Sequence, residues 1–252
     1  MRRADLAAVV LAAGGGTRLR PLTHLLPKAL CPVGNRPLVD HAIDRVARHA
    51  AEVAVNVHAH TERMVAHLGS RVHVSVEHPV ALGTAGAIGR LRRWINGRGA
   101  LVTNADAWVR DDLSELVSGW DGRRVRLLVV HDPTNGDFGE YRYAGACLLP
   151  WSWVVRMPTT PSGLYEVCWR IEQARGRLDL SPTTAAVIDC GTPADYLAAN
   201  MEWSGGENVI GPGALVAGRV RRSVVWPDGV VGPDEDLVQV IRAGRDVTVA
   251  VR

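Results

Sequence analysis

"LAAVVLAAGGG", residues 6–16, decides how the rest of the chain is read. Its first eight residues form an unbroken apolar run of strand length, with no polar alternation. A run of that kind suits a strand covered on both faces, as in a parallel sheet. It is too short to span a membrane, and glycines end it where a cleavage site would show a small-residue pattern. Outward from it, strand-like and helix-like segments alternate. "PLVDHAIDRVARHA" (37–50) places Leu38, Ile43, Val46 and Ala47 on one helical face, with Pro37 at its start. Residues 52–59, 72–77, 99–107 and 126–132 read as further strands, and 62–69 and 83–95 as helices. This alternation predicts an α/β fold: a Rossmann-like mixed, mostly parallel sheet with helices on both faces. Ligands of such sheets bind at the carboxyl ends of the strands.

The last fifty residues change character. Ile210 and Val216 are six positions apart, as are Val225, Val231 and Leu237, and Gly-Pro turns recur among them. A six-residue period with glycine turns predicts a short left-handed β-helix-like segment whose Val225 and Val231 point inward in a column. The alternative is an irregular tail packed on the core. The expected division is residues 1–204 as the catalytic domain and 205–252 as the coil.

With 252 residues, 47% of them hydrophobic, the chain can fill one full-size core and a small appendage. A net charge of +3, with no basic run, gives no footprint for nucleic acid and suits small anionic ligands. Cys31, Cys147, Cys168 and Cys190 are far apart and have no metal-ligand spacing. Scattered thiols indicate a reducing compartment, so a cytoplasmic protein without membrane contact is expected.

The glycines lead into Gly14-Gly15-Gly16-Thr17-Arg18, and Lys28 follows as the only lysine in the sequence. Amides in a glycine turn at a strand end can converge on phosphate oxygens. The pattern is neither GxGxxG nor a P-loop. A tight turn with no ligand is the other reading of the glycines alone. Arg18 adds a forked donor and Lys28 a compact point charge, both common on polyphosphates. Pro21 and Pro27 bracket the intervening "LTHLL". Asp106 ends the segment "LVTNAD", and Asp189 stands before Gly191-Thr192-Pro193, where a helix begins. Two aspartates at strand ends match the needs of Mg²⁺, which takes one or two carboxylates plus ligand oxygens. A turn residue and a helix N-terminal partner are the structural alternatives.

Residues 13–33 closely resemble the motif GGxGTRLxPLTxxxPKxLxPV of sugar-1-phosphate nucleotidylyltransferases, with Ala13 at its first glycine and every other fixed position present. "VTNAD" and "IDCGTPADYL" resemble the two aspartate segments of that family, with Ala105 where glycine is usual. The likeness runs through nearly the whole chain, and the tail most resembles that of mannose-1-phosphate guanylyltransferase-like members. It implies Mg²⁺-dependent condensation of a nucleoside triphosphate with a sugar 1-phosphate, giving an NDP-sugar and pyrophosphate. It implies Arg18, Lys28 and Asp106 as catalytic residues and Asp106 and Asp189 as metal ligands. Ala13, Gly14, Gly15, Gly16, Thr17 and Arg18 would hold the nucleotide phosphates. "VEHPVALGTAGAIGRL" (76–91) resembles the base-recognition segment, which implies Glu77, His78, Gly83 and Thr84 around the base. Asn104, Gly145 and Glu166 would meet the sugar phosphate. The resemblance leans towards guanine and mannose, and a homodimer is a further expectation.

The family's Glu-Lys-Pro segment is missing before "YAGACLL", so either Arg142 or Arg126 substitutes for its lysine or the acceptor is held differently. Trp108, Trp151, Trp153 and Trp169 either line a sugar pocket or pack in the core. Two other functions stay open: the same chemistry on a non-sugar acceptor such as phosphocholine, and a non-catalytic paralogue that binds nucleotide sugars.

Overall fold

The computed structural model describes residues 3–251. The chain gathers into two compact units: Met1–Gly14, Ala42–Ala105 and Val109–Val187 form the first, and Gly15–His41, Asp106–Trp108 and Ile188–Arg252 the second.

The first unit is built on seven strands: β1 (Leu6–Leu11), β2 (Glu52–Val57), β3 (His73–Val76), β4 (Gly99–Asn104), β5 (Val125–His131), β6 (Tyr141–Leu149) and β7 (Leu178–Pro182). Their order in the sheet is β7-β5-β6-β4-β1-β2-β3. β1 is parallel to β2 and β4, β2 to β3, and β5 to β7. β6 runs antiparallel to β4 and β5, which makes the sheet mixed, as the sequence predicts. Leu6 through Val10 are all essentially inaccessible, so side chains on both faces of β1 are covered. On one face Ala7, Val9, Ala100, Val102, Leu127 and Cys147 pack with Ile88, Leu91 and Ile95 of a helix at Gly83–Ile95. The alternate residues Leu6, Ala8 and Val10 are buried on the opposite face.

Two further segments belong to the first unit. Residues 165–174 form a π turn (Tyr165–Trp169) running into an α-helical turn (Arg170–Ala174). β7 is an edge strand whose sequence, "LDLSP", carries an aspartate and ends in proline, which is tolerated at an edge. The strand expected over 99–107 breaks. Ala105 still donates to the Leu11 carbonyl, whereas the Asp106 carbonyl accepts from Cys190. A second short strand, Ala107–Val109, then pairs with Val187–Asp189.

The second unit holds a hairpin (Pro32–Val33 with Arg36–Pro37), a helix at Pro193–Ser204 and the coil. Gly34 and Asn35, both at positive φ, turn the hairpin. The coil has three faces. β8 (Val209–Ile210), β9 (Leu215–Val216) and β10 (Arg219–Arg221) make its first turn. They pair in parallel with β11 (Val224–Val225), β12 (Val230–Val231) and β13 (Asp236–Val238) of the second. β14 (Val240–Ala243) begins a third turn and is closed by the antiparallel β15 (Val247–Ala250). Val225, Val231 and Leu237 do point inward, joined by Val240. They sit on three faces of one turn, so they meet around the axis; the stacked partners are Val216 with Val231 and Val220 with Leu237. Ile210, Leu215 and Val216 of the first turn stay exposed.

All four cysteines are free and buried. Burial pushes the thiols of Cys31, Cys147 and Cys190 up to about 12 and that of Cys168 higher still. A thiol raised to about 12 carries a thiolate fraction on the order of 10⁻⁴ at pH 8. Native protein treated with iodoacetamide at pH 8 is therefore expected to take no label, and denatured protein to take four. Rapid labelling of any one thiol in the native state, read by intact mass, would contradict this burial.

Candidate active site

Three residues separated by up to 161 positions meet at one ammonium. Lys28 Nζ donates to Asp106 Oδ2 at 2.9 Å and to Asp189 Oδ1 at 3.0 Å. The lysine side chain is 7% exposed, the two carboxylates 45% and 54%. The cation is thus buried and its counter-charges open outward. Burial pulls the Lys28 pKa down, and the two carboxylates more than offset it, so it lies above its ordinary value. Arg18 Nη2 stands 3.6 Å from the other Asp189 oxygen and is largely exposed.

Local structure sets each member. Lys28 opens a 3₁₀ turn, Lys28–Leu30, closed by the bond from the Cys31 amide to the Lys28 carbonyl. Gly16 lies at φ +61°, and a Cβ there would sit 2.8 Å from Lys28 Cβ and 2.9 Å from Thr23 Cγ2. Glycine is therefore required at position 16 by conformation and by the lysine stem together. Gly14 and Gly15 have open space instead, and no carbonyl of the described residues takes an N–H from Ala13 to Thr17. Asp189 precedes the helix at Pro193–Ser204, whose N-cap Thr192 accepts from the Asp195 amide and donates to its carboxylate. That helix also holds the lysine segment. Tyr196 donates its hydroxyl proton to the Pro32 carbonyl and accepts from Trp226 Nε1. Asn200 accepts from the Gly34 amide.

The remaining expected residues belong to the first unit, Gly14 apart from its loop neighbours among them. His78 is exposed. Glu77 is 1% exposed and both of its oxygens are taken, by Asn56 Nδ2 and by the Leu82 amide. It is not free to contact a base as expected. Gly83 is expected from the sequence to let a base approach backbone. A Cβ there would lie 2.6 Å from the Ser162 carbonyl, so the chain's own segment fills that space. Gly86 and Gly89 meet Thr160 and Pro158 in the same way. The three-residue spacing of these glycines signals that close approach, and the sequence reading misses it. Thr84 accepts from the Leu164 amide. Asn104 ends β4; Gly145 (φ +82°) offers its carbonyl to Thr103. Glu166 folds back against Gly163. Arg126 is engaged by the Leu116 and Ser118 carbonyls, and Arg142 pairs with Asp132. Trp108, Trp153 and Trp169 are buried, which is core packing and not an open sugar-binding surface.

A family model described as nucleotidyl transferase matches residues 7–139, just over half of the chain. The chain belongs to this family. Among its curated relatives, N-acetylmuramate alpha-1-phosphate uridylyltransferase of Caulobacter vibrioides is 34% identical over 152 residues. That match covers 55% of this chain and 63% of the relative. Mannose-1-phosphate guanylyltransferase of Mycobacterium tuberculosis is 32% identical over 138 residues, covering 50% of this chain and 38% of the relative. The chain therefore spans less than two-thirds of the length of either relative. A solved structure described as mannose-1-phosphate geranyltransferase from Thermus thermophilus superposes with a TM-score of 0.71 at 18% identity. The superposition covers 98% of this chain and 95% of that one, so the fold is shared throughout.

Two carboxylates already converging on one cation make a donor set that fits Mg²⁺, which fills its other positions with phosphate oxygens and water. Among the described residues no third His, Cys, Asp or Glu joins them. Lys28→Met leaves the two carboxylates without the ammonium between them, with Arg18 beside Asp189 alone. The charges left behind are half exposed, so the loss falls below the about 3–5 kcal/mol of breaking a fully buried pair. Because the folded pKa of Lys28 is raised above 10.5, its contribution is complete below that pH and is lost only as the pH climbs through the folded value. Thermal melts at pH 7.5 should show the variant less stable than wild type, and millimolar Mg²⁺ or Mn²⁺ should raise its midpoint more than that of wild type. An equal shift in both would mean that added cation and ammonium do not share the carboxylates.

Proposed function

We propose that this chain is a sugar-1-phosphate nucleotidyltransferase that uses Mg²⁺. The observation that carries the reading is the single lysine held between Asp106 and Asp189, in a unit whose Gly15 to Thr17 amides are unengaged among the described residues. In the proposed reaction an oxygen of the acceptor phosphate bonds to the α-phosphorus of a nucleoside triphosphate. The bond from that phosphorus to the bridging oxygen breaks, and pyrophosphate leaves with the electron pair. No side-chain nucleophile or base is needed, because a phosphate monoester is already anionic. What remains is positioning and charge neutralisation.

Asp106 and Asp189 are the proposed ligands of the cation. When bound, it neutralises charge on the phosphoryl oxygens. The amides of Ala13 to Thr17 and the forked guanidinium of Arg18 bind the triphosphate. Lys28, freed from one carboxylate, delivers its ammonium to the same phosphates. Asn104, Gly145 and Glu166 stay proposals for the acceptor, and His78 for the base edge. Residues 1–204 carry the chemistry in this reading, and residues 205–252 the coil. The relatives act on different partners, as their names state: a uridylyl donor with N-acetylmuramate 1-phosphate, a guanylyl donor with mannose 1-phosphate. Both pairs belong in the test. A homodimer through the open first turn of the coil, with Leu215 two-thirds exposed, is an accompanying expectation that sedimentation equilibrium decides.

Pyrophosphate release is measured with each common nucleoside triphosphate, Mg²⁺ and a panel of sugar 1-phosphates, with phosphocholine alongside. At least one sugar 1-phosphate should react; turnover of phosphocholine alone, or of nothing, would defeat the reading. Lys28→Ala should lose mainly kcat, on the order of 10²–10³, the scale of one preorganised electrostatic contact. Lys28→Arg should recover little of it, since a planar fork cannot take the place of a compact ammonium held between Asp106 and Asp189.

A further inference from the structure

Glu77 is the most deeply buried carboxylate among the described residues, and its partners are neutral. Glu172, at 4% exposure, has the guanidinium of Arg177 at 2.8 Å. Glu77 has Asn56 Nδ2 at 2.8 Å and the Leu82 amide at 2.7 Å. Asn56 is itself 3% exposed, and its Oδ1 accepts from the Ala12 amide at 2.8 Å. Three hydrogen bonds therefore run in series from Ala12 through Asn56 and Glu77 to Leu82. One end lies just after β1, where the glycine loop starts. The other lies just before Gly83 and Thr84, where the helix at Gly83–Ile95 opens.

Both ends of the series are backbone N–H groups, which can only donate. That fixes every bond between them. Asn56 must turn its oxygen to Ala12 and its nitrogen to Glu77, and Glu77 must accept at both oxygens. Glutamine has the same shape and would avoid burying a charge, which is costly. It cannot replace the carboxylate, because its nitrogen would face another donor whichever way it turned. We propose that Asn56 and Glu77 are a positioning relay that sets the segment from Glu77 to Leu82 against the end of β1, and so holds His78, proposed above for the base edge, in register with the start of the glycine loop. The nucleotide part of this inference rests on the function proposed above.

The polarity argument supplies its own rescue. Asn56→Asp sets two carboxylates face to face, and Glu77→Gln sets two donors face to face. In the double variant, the new carboxylate at position 56 accepts from the Ala12 amide and from the new amide nitrogen at position 77. The amide oxygen at position 77 accepts from Leu82. All three bonds return, with the charge moved by one side chain. The three variants are compared with wild type by amide hydrogen exchange at Ala12 and Leu82. KM and kcat are measured with the nucleoside triphosphate that wild type uses, and its Kd in Mg²⁺ is measured by calorimetry. Each single variant should speed exchange and raise Kd and KM by about tenfold or more, the worth of one charged hydrogen bond, with kcat little changed. The double variant should return to within about threefold of wild type, as coupled neighbours do. Single variants that match wild type, or a folded double variant no better than the worse single, overturn the relay. If wild type binds no nucleoside triphosphate, the functional reading fails, and the exchange pattern alone decides the relay.

Discussion

One ammonium between two carboxylates organises the second unit. Lys28, Asp106 and Asp189 come from three distant parts of the chain, and the attraction among them needs each backbone held where it is. The means are visible. Gly16 clears the lysine stem, the Cys190 amide ties the Asp189 segment to the Asp106 carbonyl, and Tyr196 and Asn200 fasten the loop after Lys28 to the helix that follows Asp189. A buried ion pair is weak support for stability, since desolvation opposes its attraction. Its cost is tolerable here because only the lysine is buried; the carboxylates keep about half of their surface in water.

The same arrangement keeps like charges together. Two aspartates within reach of one another would repel, and Arg18 reaches only one of them. The lysine neutralises the pair while leaving both carboxylates accessible from outside. That combination is what a site for a divalent cation and a polyphosphate requires: charge stored in place, with little rearrangement of backbone on loading. It also accounts for a lysine in a chain that elsewhere uses arginine, because a compact ammonium can donate to one oxygen of each carboxylate at 2.9 and 3.0 Å.

Much of this is legible in the residues. An unbroken apolar run marks β1 because that strand is covered on both faces, and the shorter runs 100–102 and 127–130 mark β4 and β5. The loop from Gly14 to Val33 is legible because its glycines, arginine and lysine have few substitutes. The six-residue spacing finds Val225, Val231 and Leu237, although spacing alone does not say whether such residues stack or converge. Glu77 is less transparent: sequence gives a residue type beside a glycine turn, and only the fold turns its carboxylate inward to Asn56 and Leu82. Gly83, Gly86 and Gly89 are ambiguous for a related reason, since space left by a missing side chain can be filled by a ligand or by the chain itself. The π turn at Tyr165–Trp169 has no local pattern that separates it from an ordinary helix, and β7 is hidden by the polar and proline residues that an edge strand permits.

The coil restricts how this chain can change in length. Val209 pairs with Val224 and Leu215 with Val230, 15 positions further on in each case, whereas Arg219 pairs with Asp236, 17 further on. The extra two residues enter between Val231 and Asp236, and an even number leaves the inward and outward sides of the next strand unchanged. An insertion of one residue in any strand would turn Val225, Val231 or Leu237 towards water, while a whole added turn would extend the axis and leave the existing core as it is. Variation in this region is therefore stepwise: homologous chains should differ by whole turns, or by even-numbered insertions at the corners, and their lengths should cluster accordingly.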